Sequence, residues 1–204
     1  MSASSTPVTE PFALLTARLR IRDLCEADIA PICRYCADPE VSRYMLPGQA
    51  DPRRITQKIQ QSITDTGRQP RRYYGLGVVL QSEERLIGTC TLSLVRQGTL
   101  AFIGWDFDRD YWCRGFATEA ARALVDYTFQ ELSPGRISAH AVAANHASRR
   151  VMQKIGMRQQ YLGLGASLAL MRAYHIWRFV VSYSISRERW MQQSTSTDND
   201  GSSA

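Results

Sequence analysis

One stretch of this chain has the residue types and spacing to hold a phosphate: Tyr111-Trp112-Cys113-Arg114-Gly115-Phe116-Ala117-Thr118-Glu119-Ala120. Gly115 lets the backbone come close to a ligand, and small Ala117 keeps a second approach open. The first N–H groups of a helix have no intrahelical partners, and the positive end of its dipole favours a pyrophosphate. Taken alone, an Arg-Gly turn entering a helix also has a purely structural reading.

Other chemistry-bearing residues narrow the choice. Five cysteines, at 25, 33, 36, 90 and 113, are an odd number in a chain without an export signal, which argues against a disulfide framework. Cys33-Arg34-Tyr35-Cys36 is a lone CxxC within a helical pattern and reads as helix filling. His140, His146 and His175 show no ligand spacing, so no metal is implied. The net charge of +6 comes from arginine, since Lys58 and Lys154 are the only lysines. Those arginines are dispersed and accompany no recognition-helix or aromatic-interleaved pattern, so a nucleic-acid partner is not indicated.

The elements that must position the turn follow from periodicity. Leu100 to Phe107 reads as a strand, and Phe116, Ala120, Ala123, Leu124 and Tyr127 share one helix face. A strand, the turn and a helix thus stand in the required order. Upstream, the alternation around Leu19 and Ile21 predicts a strand. Helices are predicted over Asp28 to Ala37, ended by Pro39, and Pro52 to Thr66, closed by Gly67 and Pro70. Strands at 73 to 81, 85 to 95 and 98 to 107 form a meander. Downstream come a strand over Arg136 to Ala143, a helix from Asn145 to Ile155 stopped by Gly156, and strands over Gln159 to Leu170 and His175 to Ile185.

The expected architecture is α/β (α+β): one mixed, mostly antiparallel sheet flanked by helices, rather than a run of equal βαβ units. At 204 residues the chain has room for one domain, assigned to 13–191, with a flexible tail at 1–12 and a disordered polar tail at 192–204. The first dozen residues lack signal-peptide regions, and the longest apolar run is too short to span a bilayer, so a cytoplasmic protein is expected.

Together these segments resemble the GCN5-related N-acetyltransferase (GNAT) superfamily, in its branch similar to ribosomal-protein N-terminal acetyltransferases. The resemblance rests on Leu15-Thr16-Ala17-Arg18-Leu19-Arg20-Ile21-Arg22, Leu86-Ile87-Gly88, Ile103-Gly104-Trp105 and the turn. It continues through Asn145-His146-Ala147-Ser148-Arg149-Arg150-Val151-Met152-Gln153-Lys154-Ile155-Gly156-Met157 to Tyr183-Ser184-Ile185 and Glu188-Arg189-Trp190. It implies a splayed sheet, acetyl-CoA as co-substrate, and an amine acceptor such as a protein N-terminus or small molecule. A homodimer is compatible with it, and neither a membrane nor a nucleic acid is implied. The pyrophosphate would lie on Trp112, Cys113, Arg114, Gly115, Phe116 and Ala117, and the pantetheine along Asp106, Phe107 and Asp108. Asn145 would reach the pantetheine arm or cap its helix. Arg150, with Arg149 and Lys154, would serve the 3′-phosphate, and Arg109 and Arg114 the pyrophosphate.

For catalysis the resemblance is less complete. The tyrosine that many members carry seven residues after the asparagine is Met152 here; resemblance to the ribosomal-protein branch implies the Ser148 hydroxyl as donor to the thiolate, with a small residue packing under the helix as its alternative role. The usual glutamate before Ile-Gly is Phe102, which leaves Asp106 or Asp108 as the nearby carboxylate, each with an alternative role as a turn or strand-end residue. Glu119, in the first turn of its helix, reads as structural. These departures keep a non-catalytic acyl-CoA-binding module as the alternative.

Overall fold

The computed structural model describes residues 12–161 and 180–200. Eight strands among them form one sheet: β1 (Ala13–Leu15), β2 (Leu19–Asp23), β3 (Tyr73–Leu80), β4 (Arg85–Val95), β5 (Leu100–Phe107), β6 (Arg136–Val142), β7 (Arg158–Gln160) and β8 (Val180–Ser186), in the order β1-β2-β3-β4-β5-β6-β8-β7. Each adjacent pair is antiparallel except β5 and β6. The helices are α1 (Ile29–Cys36), α2 (Pro39–Ser42), α3 (Pro52–Thr66), α4 (Phe116–Tyr127), α5 (His146–Lys154) and α6 (Arg187–Asp200).

Apolar residues alternate along the strands and recur on one face of each long helix, so both sheet faces are covered. On one face Phe116, Ala120, Leu124 and Met152 of α4 and α5 pack with Leu76, Leu92 and Ile103. On the other, Ile32 and Tyr35 of α1 and Ile55 and Ile59 of α3 pack with Val79 and Leu86. Asp51 caps α3, its side chain accepting from Arg53 N at 2.9 Å, and Gly67 closes it as the pattern predicts.

Five elements depart from the sequence expectation. β1 is a three-residue strand, held by its register on β2 rather than by its own pattern. Pro39 does not simply end α1: it is the first residue of α2, with the Asp38 side chain as cap, because a proline N–H is not needed at that position. The last two strands start or end inside the expected ranges, and the parts of those ranges in 162–179 lie outside the described residues. Finally, α6 continues to Asp200, into the segment from 192 whose polar composition predicts no fixed structure. Helical backbone bonds need no apolar side chains, and Trp190 at the start of α6 stacks on Phe129 at 5.2 Å.

Candidate active site

The parallel ladder of β5 and β6 is short. It holds only Leu100↔Arg136, Ala101↔Ile137 and Phe102↔Ser138, after which both strands run on without pairing. A cavity of about 470 Å³ occupies this region, lined by Phe102 to Asp106 of β5, Ala139 to Val142 of β6, and Asn145 and Ser148 of α5. Its other wall is formed by α1, α3 and the segment between α2 and α3, including Ile32, Tyr44, Met45 and Lys58. The Asp108 N–H bonds Ile87 O at 2.9 Å, so by strand alternation the peptide groups of Trp105 and Phe107 face away from β4, along the free edge of β5.

At the end of β5 lies the glycine-containing turn. Trp112 closes a short helical turn: its N–H goes to Arg109 O at 3.1 Å and its indole Nε1–H to Phe107 O at 2.8 Å. Trp112 therefore shapes the turn, and Phe107 retains only its N–H for a ligand. Cys113 and Gly115 have φ of 60° and 85°. Thr118 N and Glu119 N both bond Gly115 O, at 3.1 and 3.0 Å. Between these bonds, the N–H groups of Cys113, Arg114, Gly115, Phe116 and Ala117 have no acceptor among the described residues. Five consecutive free donors at a helix N-terminus make an anion cradle. The Phe116 side chain is buried in the core, so only its backbone is available.

A clamp from the turn between β1 and β2 holds the glycine-containing turn. Arg18 donates to Arg114 O at 3.1 Å, lies 4.4 Å from the Phe116 ring centroid, and pairs with Glu119 at 2.6 Å. Glu119 also accepts from Thr16 Oγ1 at 2.6 Å and Arg18 N at 3.0 Å. Burial opposes its charge, but these bonds together outweigh burial and hold the carboxyl below its ordinary value. The structural reading of Glu119 is correct.

Asp106 is not a solvated strand end. Its partly buried carboxyl lines the cavity and accepts from the Tyr35 hydroxyl and from Thr89 Oγ1 at 2.8 Å. Burial raises its pKa, and the bonds from Tyr35 and Thr89 counter this. Asp108 is committed elsewhere: it caps Asp110 N at 3.2 Å, faces Arg34 and Arg85 at 3.7 and 3.8 Å, and its C=O accepts from Tyr111 N at 3.0 Å. Its N–H is thus spent within the fold, while its C=O keeps a second lone pair.

On α5, Asn145 is the N-cap, its Oδ1 accepting from Ser148 N at 3.0 Å, and both residues line the cavity. Met152 is buried behind them. Arg149 is held by Tyr183 Oη at 3.3 Å and Ala143 O at 3.2 Å, whereas Arg150 and Lys154 are exposed. Beside the anion cradle, Arg122 donates to Lys154 O at 2.7 Å, which places a cation missed by sequence near Gly115 and Thr118. Arg109 faces Asp38 at 3.6 Å, and Arg114 lies 5.4 Å from the Tyr111 ring. Cys36 belongs to the α1 core, where burial pushes its thiol up to about 12, as suits helix filling. Thr89, Lys58 and His140, which line the cavity, and Tyr35, which bonds Asp106, also escaped the sequence reading, because only strand register and helix packing bring them there.

Residues 18–158 match the family model described as the acetyltransferase (GNAT) domain. The uncharacterized N-acetyltransferase p20 of Bacillus licheniformis is 31% identical over 153 residues, covering 73% of this chain and 84% of the relative. An acetyltransferase (GNAT family) of Bacillus anthracis is 26% identical with a TM-score of 0.71, covering 87% of this chain and 99% of that one. A ribosomal L7/L12 alpha-N-protein acetyltransferase in complex with coenzyme A has the same fold at 13% identity and a TM-score of 0.68, covering 85% of this chain and 96% of that one.

Proposed function

From the premise that this chain belongs to the GNAT acetyltransferase family and is an N-acetyltransferase, we propose that it moves the acetyl group of acetyl-CoA to a primary amine, on a protein N-terminus or a small molecule, in the cytoplasm. The observation that carries this is the gap between β5 and β6, which opens on the cavity, together with the row of free N–H groups at Cys113 to Ala117 in the turn that follows β5. The residues present fit acetyl-CoA. The free donors suit its pyrophosphate, with Arg150, Lys154 and Arg122 as nearby cations, and the free edge of β5 suits the amides of its arm, as an added strand would.

Bound acetyl-CoA supplies an acetyl group already activated as a thioester. The turn and Asn145 hold the cofactor so that its reactive end lies in the gap. The Asp106 carboxylate, kept in place by Tyr35 and Thr89, draws the amine into the cavity and orients it. The Ser148 hydroxyl donates toward the sulfur on which negative charge collects. The amine sheds its surplus proton to water.

Acetyl-CoA-dependent thiol release across peptide N-termini, polyamines and aminoglycosides tests this reading. Amine-dependent release, with a matching mass increase of the acceptor, is the expected result. Tight CoA binding with no release for any amine would instead leave an acyl-CoA-binding module.

A further inference from the structure

His140 lies on β6 two residues beyond Ser138, the last β6 residue paired with β5, and so on the same strand face where the gap opens. Its ring centroid is 5.2 Å from that of Phe102, with an interplanar angle of 33°, and it lines the cavity together with Asp106, Asn145 and Ser148. Nδ1 is buried and has no hydrogen-bond partner among the described residues. Nε2 is not among the buried atoms left without a partner, and the residue lines the cavity.

A neutral imidazole carries a hydrogen on one nitrogen and a lone pair on the other. An orphaned buried N–H is the rarer compromise in folded proteins, which assigns the lone pair to Nδ1 and the hydrogen to Nε2. An imidazolium would bury an unpartnered N–H, and burial holds the His140 pKa below its ordinary value. The other titratable groups facing this cavity are Asp106 of β5, Lys58 of α3, Tyr73 of β3, Tyr44 after α2, Cys36 of α1 and Cys90 of β4. None is bonded to the imidazole among the described residues. His140 is therefore a neutral donor rather than a proton acceptor.

We propose that the His140 Nε2–H donates a hydrogen bond to the acyl oxygen of the thioester in the gap. This rests on the acetyl-transfer reading above. As the C–N bond forms, the carbonyl π pair moves onto oxygen. It returns as the C–S bond breaks with its pair on sulfur, while the amine proton leaves to water and His140 exchanges none. A preorganised donor at that oxygen acts where charge develops.

His140→Phe keeps a ring against Phe102 and removes the donor, and it is expected to lower kcat about 10²-fold, with CoA affinity by calorimetry within about twofold. His140→Gln supplies an amide donor but no base and is expected to recover at least about tenfold of that loss. In the free protein, nitrogen-detected NMR is expected to report the Nε2–H tautomer and a titration midpoint below 6.5. Wild-type kcat in the Phe variant, no advantage of Gln over Phe, or an Nδ1–H tautomer would overturn the assignment. If no amine is acetylated by the wild type, the acetyl-transfer reading fails on its own account, while the tautomer of the free protein still decides the state of His140.

Discussion

At the scale of single residues, the site divides into groups that hold and groups that react. Gly115 holds: its φ of 85° orients the free N–H groups on either side, and a Cβ there would meet only Arg18 Nη2 at 3.4 Å, an ordinary contact. Gly115→Leu is therefore expected to fold, at a strain of about 1–2 kcal/mol, and to lose at least about tenfold in CoA affinity as the side chain crowds the cradle. Unchanged affinity by calorimetry would remove the pyrophosphate from this turn. In the proposed mechanism Ser148 reacts: its N–H is given to the Asn145 cap, and the residue lines the cavity. Ser148→Ala is expected to lower kcat about 10²-fold with little change in CoA affinity, whereas an unaltered kcat would take the hydroxyl out of the mechanism.

At the scale of elements, the β5–β6 separation and the seating of α5 decide where those residues meet. Gly88 of β4 lies opposite Phe107, and a Cβ on it would come within 2.5 Å of Asp106 O and 2.7 Å of the Phe107 ring. Gly88→Ala must push the end of β5 outward. It is expected to cost about 1–3 kcal/mol of stability and to reduce turnover through displacement of Asp106. A denaturation midpoint equal to that of the wild type would contradict that packing. The start of α5 depends on the Asn145 cap. Asn145→Ala is expected to lower stability by about 1 kcal/mol, with Asn145→Asp restoring most of it, because either side chain accepts the Ser148 N–H.

At the scale of the whole molecule, the sheet carries helices α1 and α3 on one face and helices α4 and α5 on the other. The gap is the passage between them. The far end of the sheet is tied to α4 through Thr16 and Arg18, which bond Glu119 across 103 and 101 positions in sequence. Glu119 has a lowered pKa, so its contribution is present above the ordinary glutamate pKa and is lost as pH falls through the lower folded value. Glu119→Gln is expected to lower stability at neutral pH by about 1 kcal/mol, about 2–4 °C in Tm. The difference between variant and wild type should shrink toward acid pH. A difference independent of pH would assign Glu119 a role in shape alone.

Local signals determined much of this protein from sequence. A helix starts where a glycine turn, a carboxylate and a 3.6-residue apolar repeat coincide, so the cradle at Cys113 to Ala117 was legible, as were the meander and the helix opening at Asn145. These features depend on neighbours a few residues away. Tertiary structure alone decided what meets in the cavity. Tyr35 reaches Asp106 across 71 positions, Thr89 reaches it through antiparallel register, and His140 faces Phe102 because β5 and β6 pair for only three residues before parting. No periodicity encodes those encounters. They arise only when helices and strands distant in sequence are packed around one gap, because that packing, and not any run of neighbouring residues, sets the distances between these groups.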